Sequence, residues 1–128
     1  MLVTIPLQEA VVEFINNLGL KVHDVAPANT TLPYVQLGGF EVANNRTKTN
    51  GRQDYILTLH VWVEDSDIYS FHEMLGSVLT IIDADLNIGE AYHVDDVDLD
   101  YLTTIKEEYQ HEIVHHGAIQ LKFTITEN

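Results

Sequence analysis

Apolar residues recur along this chain at two spacings, and each switch between them marks a new element. Leu7, Val11, Phe14, Ile15 and Leu18 fall at helical spacing, with Thr4 placed to cap the start, Pro6 in the first turn and Asn17-Leu18-Gly19 as a stop. A first amphipathic helix is therefore predicted. The segment "LKVHDV" is a short strand candidate and "PYVQLGGF" a second, its proline suiting the first position of a strand. From Asp54 to Glu64 the alternation is strict: Tyr55, Leu57, Leu59, Val61 and Val63 share one face, and Ile56, Thr58, His60 and Trp62 share the other. The first face is core and the second is mixed. Helical spacing returns in Ile68, Phe71, Leu75, Val78, Leu79 and Ile82, behind a cap at Ser66 or Asp67 and with an expected end near Ile82. Two more strands are expected, one within "AYHVDDVDLDYLTTI" and one at "AIQLKFTI", where Ile119, Leu121, Phe123 and Ile125 point inward.

The order α-β-β-β-α-β-β implies an α+β domain in which two amphipathic helices pack on one face of a mainly antiparallel sheet of four to five strands. Residues 1–128 form a single domain on this reading. The opposite sheet face then needs cover. Trp62 sits in its middle by parity, so either a loop of the chain or a partner subunit lies over it. The pair in "LGGF" reads as a strand irregularity and not as a phosphate cradle.

Hydrophobic residues make up 45% and charged residues 20% of the chain, and there is no cysteine. Disulfides, iron–sulfur clusters and thiol catalysis are thereby excluded. The amino terminus "MLVTIPLQEAVVEF" lacks a basic region and cleavage signal, and no apolar run approaches the ~20 residues of a bilayer span, so a cytoplasmic chain with no membrane partner is expected.

Net charge is −14 and unevenly spread. Residues 1–63 hold five acids and four bases, whereas residues 64–112 hold fourteen acids and one base, Lys106. Such a chain repels phosphate, which argues against sequence-specific nucleic-acid binding. "DDVDLD" places Asp96, Asp98 and Asp100 on one strand face by alternation, without the loop and turning glycine that calcium sites use. The loop from Glu41 to Gln53 gathers Arg46, Lys48 and Arg52, three of the six basic residues. It is either a solvated turn or an arm that reaches the acidic surface of an identical neighbour.

"HEIVHHG", residues 111 to 117, matches the H-E-x-x-H pattern that on a helix sets two imidazoles around zinc. Gly117 closes the segment, a clear strand follows, and Glu127 is the one carboxylate downstream. The reading preferred here is a histidine-bearing strand entry, with a small zinc-dependent hydrolase as the alternative. A second alternative is an acidic adaptor that mimics nucleic acid. No catalytic residue, metal ligand or cofactor is assigned.

The succession "APANTTLPYVQLGG", "NRTKTNGRQDYILTLHVWVED", "IYSFHEMLGSVLTIID" and "HHGAIQLKFTI" resembles the tail completion, or tail-to-head joining, proteins of long-tailed bacteriophages and prophages. Pro33-Tyr34-Val35, Thr47-Lys48-Thr49, His60-Val61-Trp62-Val63 and His116-Gly117 carry the likeness, in the family's order and over nearly the whole chain. The resemblance implies a tail-terminator-like structural protein and not an enzyme. It further implies a ring of about six subunits between tail tube and head connector, with DNA passing through its bore. On that basis Arg46, Lys48, Arg52 and Trp62 are candidate subunit or partner contacts, and Asp95, Asp96, Asp98, Asp100, Glu107 and Glu108 are candidate bore-facing acids. His116 would lie in an "HG" turn before the last strand. The expected location is the host cytoplasm during assembly and then the virion.

Overall fold

The computed structural model describes residues 3–24, 30–42, 51–109 and 111–128. Among them α1 (Thr4–Asn17) is followed by β1 (Val22–His23), β2 (Tyr34–Val42), β3 (Arg52–Glu64), α2 (Ile68–Leu79), β4 (Tyr92–Tyr109) and β5 (Glu112–Glu127). The sheet order is β1-β2-β3-β5-β4, with β1 parallel to β2 and every other pair antiparallel. The predicted α+β class and element order are those observed.

Helix α1 exists because Leu7, Ala10, Val11 and Ile15 form one buried face. It starts one residue earlier than a Thr4 cap requires: Val3 is the cap, without a side-chain bond, and Thr4 is already helical. Gly19 ends it at φ 85°, where its amide donates to Asn16. The α2 start follows the sequence, since the Asp67 carboxylate accepts from the Ser70 amide. A 3-10 turn, Thr80–Asp83, replaces the last helical residues expected before Ile82.

Both helices lie over the β3 face that holds Tyr55, Leu57, Leu59, Val61 and Val63, and these join Leu7, Phe71, Leu75, Leu121 and Phe123 in one main core. Gly117 is part of that packing. A Cβ there would stand 2.7 Å from Leu75 Cδ2, so α2 settles directly on the β5 backbone. His116-Gly117 thus lies inside a strand and not in a turn, which corrects the expectation drawn from the resemblance.

Strands β4 and β5 are longer than periodicity predicted. β4 continues four residues past Ile105 and β5 starts six residues before Ala118, with His111 at φ 68° just before β5. The hydrophobic alternation ends early in the sequence because histidines and a glycine, His115, His116 and Gly117, occupy the buried and half-buried positions here. β1 is shorter than "LKVHDV", since it pairs with β2 only at Val22–Val35 and His23–Gln36. The "LGGF" pair coincides with a register shift between Leu37 and Phe40.

Candidate functional site

The helix-free face of the sheet carries a second, smaller core. Tyr34 on β2, Trp62 on β3 and Val114 on β5 are buried there, with Leu32 and Tyr109 packed against them. Cross-strand register explains the grouping, because Tyr34 pairs with Trp62, and Trp62 with His116. Tyr109 stands four residues beyond Ile105, the β4 residue at the level of His116. Its ring nevertheless lies 4.4 Å from that of Trp62 and its hydroxyl 2.8 Å from that of Tyr34, so the tip of the hairpin curls back across the sheet. Burial and the hydrogen bond with Tyr109 raise the Tyr34 pKa well above the usual phenol range.

Trp62 is only 8% exposed and also stacks on His116 at 3.9 Å, while its indole N–H donates to Gln36 at 3.1 Å. This corrects the expectation that Trp62 meets a partner subunit. Its cover comes from the chain's own hairpin, which curls far enough to reach it.

His116 is also the centre of a hydrogen-bonded line. Glu107 Oε1 lies 2.5 Å from His116 Nδ1, and His116 Nε2 lies 2.7 Å from His60 Nδ1. A carboxylate can only accept, so His116 carries a proton on Nδ1; its Nε2 accepts from His60 Nδ1–H while His116 is neutral and donates to His60 Nδ1 once His116 is protonated. Burial, then the neighbouring His116, lowers the His60 pKa, with Glu107 opposing more weakly. The unfolded chain therefore binds more protons than the folded one as pH falls below the ordinary 6.5. The thermal midpoint is expected to drop over that window, and His60→Gln is expected to flatten the slope. A slope unchanged in the variant would remove His60 as its cause.

The "HEIVH" segment is extended from Glu112 onward, and His111 occupies the preceding turn. The helix on which a zinc site of that pattern depends is not formed. His115 Nε2 instead lies 3.2 Å from Asp65 Oδ1, which also holds Lys106 at 3.2 Å, pinning the hairpin to the β3–α2 connection. No group of three or more metal-ligating side chains occurs among the described residues.

The acids of β4 do not form the single stripe that alternation implied. Register irregularities between Val94 and Asp96 and between Leu99 and Tyr101 leave Asp95 and Asp100 as the extra residues. Asp96 and Asp98 remain on the helix-free face, opposite Thr124 and Lys122. Their mutual hydrogen bond and repulsion raise the Asp98 pKa, and Lys122 only partly offsets this. Asp95 is the reverse case. Hydrogen bonds from Thr126 and His93, with Arg52 at 3.4 Å, hold its pKa below the usual value. Glu107 faces the helix-free side at His116, whereas Glu108 is paired with Ile113 and lies on the helix side by register.

Arg52 opens β3 and is exposed, with Asp95 of its own chain as partner. Arg46 and Lys48 lie outside the described residues. What periodicity missed is the exposed apolar set Leu99, Tyr101, Leu102 and Ile105 on β4. The signal was present as four large apolar residues within seven positions, hidden by the bulge that breaks their alternation.

No helix of the described residues is long and apolar enough to cross a membrane. No curated protein sequence matches the chain. Among solved structures, a chain of the virion of a native gene transfer agent particle is similar in fold, with a TM-score of 0.73 and 18% identity over 95% of each chain. The model of the family described as "Tail completion protein gp17" matches residues 8–125. With nearly every element inside that match, the chain belongs to the tail completion protein gp17 family, whose members are structural proteins of phage tail assembly.

Proposed function

We propose that this chain forms a ring of about six copies at the head–tail junction of a long-tailed phage or prophage particle, capping the tail tube and joining it to the head connector. The observation that carries this reading is the β4–β5 hairpin. An 18-residue edge strand that exposes Leu99, Tyr101, Leu102 and Ile105 is a surface built to be covered by protein. With the helices outward, the helix-free face lines the bore. Asp96, Asp98 and Asp54 then outnumber Lys122 on that face, and a wall of net negative charge holds phosphate weakly and leaves transit free. Asp95 and Asp100 flank that wall at the bulges, Glu107 is engaged by His116, and Glu108 lies away from it.

Native mass spectrometry of the purified protein, alone and mixed with tail tubes, tests the reading. A closed ring of about six copies without stoichiometric zinc is expected. A chain that remains monomeric both alone and on tubes would overturn it. Arg46, Lys48 and Arg52 are assigned to the contact between subunits or with a docking protein. Reversing all three charges is expected to reduce assembly at low salt, with circular dichroism unchanged, and the effect should shrink as salt screens it. Assembly equal to that of the parent chain would count against that role.

A further inference from the structure

Among the described residues the sheet has two open edges, and they differ in chemistry. At one end β4 has β5 as its single partner, so the outward amides and carbonyls of its far side meet no strand among the described residues. Leu99 (41%), Tyr101 (50%), Leu102 (38%) and Ile105 (50%) are exposed along it. Register sets Leu99 and Leu102 on the helix side and Tyr101 and Ile105 on the other. A strand apolar on both faces is the pattern of an interior strand, yet this one ends the sheet. At the opposite end β1 covers β2 only at Val35 and Gln36. From Leu37 to Val42 the outer side of β2 is open among the described residues, Val42 is exposed, and exposed Lys21 stands just before β1.

We propose that β4 of one copy pairs with the β1–β2 edge of the next, so that one sheet continues from subunit to subunit. This rests on the ring reading and specifies its contact. Strand direction supports it: three successive antiparallel pairings leave β2 and β4 running oppositely, so a continued sheet joins them antiparallel. Charge agrees. Without shear Lys21 and His23 of the next copy come level with Ile105 and Thr103, and a shear of two residues, inside the range scanned below, sets Lys21 opposite Glu107, acid against base. Pairing of β4 with another β4 would instead bring together strands acidic at both ends, Asp95 to Asp100 and Glu107 to Glu108. The second copy is therefore the occupant, through two different patches of one chain. Such a heterologous contact closes into a ring where the rotation allows.

The absence of native cysteine gives a clean test. Glu41→Cys on β2 is combined in turn with Asp98→Cys, Tyr101→Cys or Thr103→Cys on β4, all placed by register on the helix-free face, so that the shear of the ring is scanned. Within one chain these positions are three strand spacings apart, ~14 Å, too far for a disulfide. Oxidation of the protein, alone and on tail tubes, is expected to give a ladder of covalent oligomers from at least one pair, ending at the ring size seen by native mass spectrometry. Each single cysteine should give no more than traces of dimer. A ring in the mass spectrum with no ladder from any pair overturns the edge contact and leaves the ring. Dimers from the β4 cysteines alone overturn it in favour of self-pairing, and the absence of any oligomer overturns both.

Discussion

Trp62→Ala is expected to lower the unfolding free energy by ~3–5 kcal/mol, as large an effect as a main-core truncation, although the residue lies on the face without helices. Its ring is nearly all buried and stacks on His116 and Tyr109, so removal opens a void and releases the hairpin tip. The Gln36 amide oxygen loses its indole donor as well. Urea denaturation followed by circular dichroism measures the change. Because Trp62 is the single tryptophan, its fluorescence in Tyr109→Ala then reports whether the tip covers it in solution. A loss below ~1 kcal/mol would mean that the second core is not a stabilising unit. The edge contact proposed above would be affected too, since Tyr109 holds the end of β4 against Trp62.

Gly38→Ala is expected to cost ~1–3 kcal/mol, while Gly39→Ala, its immediate neighbour, changes stability little. A Cβ on Gly38 would stand 2.7 Å from the Thr58 carbonyl oxygen and 3.0 Å from Thr58 Cβ, and backbone cannot give way as a side-chain end does. A Cβ on Gly39 meets nothing within 4 Å. The contrast arises from the irregularity between Leu37 and Phe40, which brings one glycine against β3 and leaves the other open. Equal melting points for the two variants would show that β2 crosses β3 differently. Since Leu37 to Val42 is also the free edge assigned to the next subunit, Gly38→Ala should weaken assembly in parallel with stability.

Much of the fold was legible from local pattern. Helices α1 and α2, the β3 face and the inward set of β5 were readable because each buries one continuous apolar side, which burial imprints as a period of 3.6 or 2. The Asp67 cap was legible for the same kind of reason, as a short-range bond between neighbours in sequence. The resemblance to tail completion proteins was carried by the order of weak segments along the chain, and the family match spans the same stretch.

The sequence by itself determined the α+β class, the two-sided character of β3, the lack of cysteine chemistry and the acidity of the second half. It could not determine where β4 ends up. The order β3-β5-β4 makes β4 an edge, and two bulges rotate its residues, so that Asp96 and Asp98 share a face while Asp95 and Asp100 do not. It also could not show that Tyr109 returns over Trp62, or that His60, His116 and Glu107 form one line, because those contacts join residues 47, 56 and 9 positions apart through the curvature of a sheet. Periodicity records how much of a residue is buried. Which residue buries it, and which edge is left open for another chain, is decided by long-range strand pairing that no local pattern encodes.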